Sequence, residues 1–203
     1  MGDSSRDGRG FTRRQFLVGV GVGAAAAGLP LRPVLGQEEE AAGAPVLGPG
    51  PVPVEFTVNG RKVKLSLEPR VTLLDALRDR LDVTGPKRVC DRGACGACTV
   101  LLDGTPVNAC MVLAVDAAGR EIVTVEGLTP EKGLSTLQAN FVRHDALQCG
   151  FCTPGMVTSS AALLAANPKP DLAAVKDALS GNLCRCGTYP RIFRAVLDTA
   201  EGR

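Results

Sequence analysis

The residues best suited to chemistry in this chain are its eight cysteines. Cys90, Cys95, Cys98 and Cys110 follow the spacing C-x4-C-x2-C-x11-C. Cys149 and Cys152 form a C-x2-C pair, and, after thirty-one intervening residues, Cys184 and Cys186 form a C-x-C pair. The segment between Cys90 and Cys98 contains Gly93, Ala94, Gly96 and Ala97. Such small residues let a backbone curl closely round a ligand. Thiolates from a short loop then converge, and nearby backbone N–H groups can hydrogen-bond their sulfurs. We read the two quartets as two iron–sulfur sites.

The first spacing is that of plant-type [2Fe–2S] ferredoxins. Each iron of such a cluster takes two thiolates and two bridging sulfides. Zinc held by four cysteines is the alternative, but zinc ribbons usually pair two C-x2-C knuckles rather than use one asymmetric loop. The second quartet, Cys149, Cys152, Cys184 and Cys186, differs from the bacterial C-x2-C-x2-C run. Its pairs fit one iron each, as two two-thiolate chelates. Both pairs fall just before an expected helix start, where partial positive charge favours an anionic centre. C-x-C is also a strained disulfide pair.

Composition excludes other classes. A single His144 argues against a His-rich zinc or copper site. The net charge of +2 comes from residues 1–36, which carry five Arg and two Asp. The remainder is near neutral, and aromatics are only 3% of the chain. Nucleic-acid binding therefore has no support. Asp75, Asp82 and Asp91 read as solvated or capping carboxylates, and His144 as a structural or surface histidine. No catalytic residue is assigned.

Several elements must deliver and position the cysteines. Arg13-Arg14 precedes an apolar run from Phe16 to Leu31, the order of a twin-arginine signal peptide over residues 1–36. The run is too short and weak for a stable membrane span. Such a leader implies export to the periplasm of an already folded, cofactor-loaded protein. This answers the expectation that exported cysteines form disulfides. Residues 37–53, rich in Pro and Gly, read as a linker.

Residues 54–126 alternate apolar and polar positions. Val54–Val58 and Val63–Leu67 read as strands joined at Asn59-Gly60, a strong hairpin signal. Thr72 reads as the cap of a helix carrying Leu73, Leu74, Leu77 and Leu81. Further strands are expected at 99–102, 111–115 and 121–125. Over residues 133–200 the period becomes helical. Leu134, Leu137, Phe141 and Val142 mark one helix. Thr153 is expected to cap a second, with Pro154 opening it. Asp171 caps a third that Gly181 ends, and Thr188 caps a fourth. The fold class is α+β: a sheet domain with one covering helix, then an all-α bundle.

The motifs Cys90-Asp-Arg-Gly-Ala-Cys-Gly-Ala-Cys, Gln148-Cys-Gly-Phe-Cys-Thr-Pro-Gly-Met and Gly181-Asn-Leu-Cys-Arg-Cys-Gly resemble the iron–sulfur subunit of the xanthine oxidase family of molybdenum hydroxylases. The resemblance spans residues 54–200 and includes all eight cysteine spacings. It implies a β-grasp ferredoxin domain followed by a four-helix bundle, each holding a [2Fe–2S] cluster. Cys90, Cys95, Cys98 and Cys110 would hold the cluster farther from molybdenum. Cys149, Cys152, Cys184 and Cys186 would hold the nearer one. Gln148 would hydrogen-bond the pterin of the molybdenum cofactor, and Cys186 would lie near it. Many members carry Thr-Gly-Tyr after C-x-C, where this chain has Gly187-Thr188-Tyr189, a mark of a sub-branch.

With the leader, the likeness is greatest to the periplasmic aldehyde oxidoreductase type. That type implies a large subunit with molybdopterin cytosine dinucleotide and a medium subunit with FAD. The chain is then an electron-transfer subunit without a substrate site, passing single electrons from molybdenum through two clusters to FAD. The main alternative is the isoquinoline/nicotinate type, which delivers electrons to a cytochrome c. A carbon monoxide dehydrogenase-like small subunit, a stand-alone ferredoxin and a zinc- or disulfide-stabilised structural protein are the others.

Overall fold

The computed structural model describes residues 46–203, so the expected leader and the linker up to residue 45 lie outside the described residues. Strand β1, Val52–Val58, and strand β2, Arg61–Leu67, form the expected hairpin. Asn59 and Gly60 both have positive φ, 48° and 77°, the backbone a two-residue type I′ turn needs. The register pairs Val54 with Leu65 and Phe56 with Val63. β1 starts two residues earlier than expected, because Val52 pairs with Leu67.

Thr72 caps helix α1, Leu73–Asp75, its hydroxyl accepting from Asp75 N at 3.1 Å. The helix continues as a π turn over Ala76–Arg80. Leu73, Leu74, Ala76 and Leu77 are completely buried against the sheet. Strands β3, Thr99–Leu102, β4, Thr105–Asn108, and β5, Glu121–Val123, complete a mixed sheet of order β2-β1-β5-β3-β4. Asp103-Gly104, both with positive φ, turn β3 into β4.

The strand expected at 111–115 does not form. Ala109–Met111 and Ala114–Ala117 are 3-10 turns, and Leu113 makes only an isolated bridge to Thr72. Here the chain must turn Cys110 inward and bury Ala109, Ala114 and Ala117, which the period of an extended strand does not allow.

The second half packs four helices: α2, Thr136–Arg143; α3, Thr153–Ala166; α4, Leu172–Ala178; and α5, Tyr189–Ala200. Ser135 and Gln138 form a reciprocal capping box at the start of α2. Leu137 and Phe141 face the core, but Leu134 and Val142 are 54% and 59% exposed, unlike the expected inward stripe. Helix α3 is capped by Cys152, with Thr153 already its first residue and Pro154 its second. Asp171 caps α4, accepting from Ala174 N at 2.8 Å, and α4 ends at Leu179, before Gly181. His144 Nε2 and Asp198 Oδ2, 2.9 Å apart, tie α2 to α5, a structural role.

The two halves meet where α3 lies against β3. Residues Gly155 to Ser160 of α3 are buried without interruption. A helix facing sheet on one side and helices on the other is buried all round, so it lacks a single apolar stripe.

Candidate metal centres

All eight cysteines are free thiols. In the first quartet, Gly93 has φ 72° and brings its N–H to 3.3 Å from Cys110 Sγ. Asn108 Nδ2 fixes the same loop by donating to Gly93 O at 3.0 Å. The Arg92 backbone N–H, followed by the Cys95 thiol, holds the Cys90 thiol down to about 7. Burial pushes Cys98 up to about 12, opposed by the Cys110 backbone N–H.

The second quartet lies between helix ends. Cys152 caps α3, while Cys184 and Cys186 precede α5. Burial pushes Cys152 up to about 12, and the Cys184 thiol adds to this. At Cys184 burial acts upward too, but the Thr188 hydroxyl and backbone N–H, with the Cys152 thiol, bring it down to about 7. Cys149 and Cys186 are both exposed at the rim. Burial takes Cys152 and Cys184, one member of each sequence pair, inside and leaves Cys149 and Cys186 exposed.

This donor set fits two-iron clusters. Each quartet supplies four free thiols, as two irons with two thiolates each require, and the Gly93 backbone N–H already points at the Cys110 sulfur. A four-cysteine zinc site instead needs all sulfurs on one ion.

The loops of the two quartets are joined directly. Leu183 N–H donates to Cys95 O at 2.9 Å. Asn182, only 5% exposed, sits beside this bond. Its Nδ2 donates to Gly96 O at 3.0 Å and Thr99 Oγ1 at 3.3 Å, and its Oδ1 accepts from Ser159 Oγ at 2.8 Å. One amide thus holds the first cysteine loop, β3 and α3 together. Sequence reasoning gave Asn182 no role. A polar residue in a turn after a helix reads as solvated, and only the packing of α3 on the loop buries it.

Gln148 and Cys186 lie on one polar cleft of about 350 Å³, with Gly187, Thr188 and Arg191. Gln148 is exposed there. Asp82 and Asp91 take left-handed backbone, φ 56° and 55°, at turns. Asp75 pairs with Arg88, which also reaches Asp79 at 2.7 Å.

Sheet, bundle and thiol quartets together define a protein with two [2Fe–2S] binding domains. The family models agree: the 2Fe-2S iron-sulfur cluster binding domain matches residues 56–124, and the [2Fe-2S] binding domain matches residues 124–197. The chain belongs to the iron–sulfur subunits of the xanthine oxidase family of molybdenum hydroxylases. It is 42% identical over 177 residues to the aldehyde oxidoreductase iron-sulfur-binding subunit PaoA of Escherichia coli O157:H7, covering 79% of this chain and 77% of that one. It is 50% identical over 147 residues to the nicotine 6-hydroxylase small subunit of Paenarthrobacter nicotinovorans, covering 72% of this chain and 88% of that one. In quinoline 2-oxidoreductase from Pseudomonas putida 86, one chain matches with a TM-score of 0.72 and 46% identity, over 74% of this chain and 93% of that one. This chain is an iron–sulfur electron-transfer subunit of that family.

Proposed function

We propose that the chain serves an exported, aldehyde oxidoreductase-type molybdenum hydroxylase. In it the chain accepts single electrons from a molybdenum subunit and hands them to an FAD subunit. The observation that carries the electron-transfer role is the Leu183 N–H···O=C Cys95 bond, which joins the two cysteine loops directly. Cys90, Cys95, Cys98 and Cys110 would hold one [2Fe–2S] cluster, and Cys149, Cys152, Cys184 and Cys186 the other. Each cluster supplies a one-electron carrier when bound. The chain's own contribution is to orient the thiolates, direct N–H groups at sulfur and exclude water from Cys98, Cys152 and Cys184.

The shared cleft of Gln148 and Cys186 supports their placement toward the pterin of the molybdenum subunit, which would carry molybdopterin cytosine dinucleotide. The other quartet would then face the FAD subunit. The Arg13-Arg14 leader supports folded export to the periplasm.

A second reading, a hydroxylase of nitrogen heterocycles with a cytochrome c acceptor, is favoured by the 50% identity to the nicotine 6-hydroxylase small subunit and by Gly187-Thr188-Tyr189. Purifying the native complex separates the two. Bound flavin with activity on aldehydes supports the first; haem with activity on N-heterocycles supports the second. A chain recovered without molybdenum or flavin partners, from the cytoplasm alone, would sink the proposal.

A further inference from the structure

Thr188 stands at the N-cap of α5, with φ −74° and ψ 10°, yet its side chain makes no capping hydrogen bond. A threonine at that position ordinarily turns its oxygen to accept from the second or third helical N–H. Here the hydroxyl lies 3.3 Å from Cys184 Sγ instead. The backbone N–H groups of Thr188 and Gly187 also point at that sulfur. The Cys184 N–H turns elsewhere, donating to the phenolic Oη of Tyr189 at 2.7 Å. Once Cys184 is a metal-bound thiolate its sulfur has no proton to give, so the hydroxyl is the donor.

We propose that Thr188 sets the reduction potential of the C-terminal iron–sulfur site, acting through an O–H···S hydrogen bond to Cys184. This rests on the reading that the C-terminal quartet holds a [2Fe–2S] cluster. Reduction adds one electron to an anionic centre, and the thiolate sulfur gains part of that charge. A hydrogen bond to a charged acceptor strengthens as the charge grows, so the reduced form is stabilised more than the oxidised one. No bond breaks, the proton stays on Thr188 oxygen, and the electron comes from the substrate-oxidising partner or, in the test, from dithionite.

The contrast with the other quartet sharpens the point. Cys90, Cys98 and Cys110 receive backbone N–H donors, and among the described residues no hydroxyl bonds to them. Thr188 therefore raises one site relative to the other. In the sub-branch pattern Gly187-Thr188-Tyr189, threonine stands one place later than in Thr-Gly-Tyr, at the position whose hydroxyl reaches Cys184.

The experiment is an EPR-monitored redox titration of the full chain, loaded with iron and sulfide, following both cluster signals. Thr188→Val keeps the shape and removes the hydroxyl. It lowers one reduction equilibrium roughly tenfold, about 59 mV for a one-electron couple, and leaves the other unmoved. Thr188→Ser keeps the donor and the original midpoints. Thr188→Ala gives the same downshift as Val, without a methyl pressed on the sulfur. Fully loaded Val and Ala variants with both midpoints unmoved overturn the inference, as does an equal fall at both sites. A parent chain that takes up no iron overturns the cluster reading itself.

Discussion

Gly155 sits in the first turn of α3, where a helix normally gains about 0.5–1 kcal/mol when glycine becomes alanine. The tertiary structure reverses that sign. A Cβ on Gly155 would lie 2.2 Å from the Gly96 carbonyl oxygen and 3.0 Å from Asn182 Nδ2. A carbon needs about 3.3 Å from a carbonyl oxygen, so α3 and the first cysteine loop must part by roughly 1 Å. Neither side is a flexible side chain that can swing away, because both are backbone. Overpacking of this kind costs about 1–3 kcal/mol. Opening the seam also weakens the Asn182 hydrogen bonds, worth about 1 kcal/mol each. After subtracting the propensity gain, Gly155→Ala should destabilise the chain by about 1–3 kcal/mol. Urea unfolding followed by far-UV circular dichroism reads this directly, and the melting temperature should fall by roughly 5 °C. A variant as stable as the parent, or more stable, would refute the claim that α3 is pressed backbone-to-backbone onto the first cysteine loop.

Asn182→Ala removes the acceptor for the Ser159 hydroxyl and the donor to Gly96, and should cost about 2–3 kcal/mol. The same variant should speed hydrogen exchange at the Leu183 amide, and an unchanged exchange rate would argue against the clamp. In chelator-treated, reduced protein, Cys90, held down to about 7, should alkylate well before Cys98 and Cys152, both pushed up to about 12 by burial. Peptide mapping after short exposure to iodoacetamide gives the order, and early labelling of Cys98 contradicts it. The Arg120 guanidinium, then the Glu121 N–H, hold Asp103 below its ordinary 3.8. A lowered carboxyl contributes stability that is present above about pH 4 and lost as pH falls through the folded value. Asp103→Asn should therefore narrow the difference in urea midpoint between about pH 6 and about pH 3; an unchanged difference would leave Asp103 outside the acid response.

The sequence by itself determined which cysteines are candidates for metal binding and much of the local structure. Positive φ at Asn59-Gly60, the Thr72 and Asp171 caps and the switch from period two to helical period follow from local sterics and hydrogen bonding. Eight cysteines at those spacings named both quartets, since soft thiolates from short glycine-containing loops serve few other ends. Tertiary structure decided what depends on partners distant in the chain. It replaced the strand expected at 111–115 with 3-10 turns, because Cys110 and three alanines must face inward together. It buried Cys152 and Cys184 and left Cys149 and Cys186 exposed, a sorting that no spacing reveals. It buried Asn182 and pressed Gly155 onto Gly96, contacts between residues dozens of positions apart. It turned the Thr188 hydroxyl from its own helix to the Cys184 sulfur. Local pattern chooses the ligands; packing chooses which ligands are buried and what holds the two loops together.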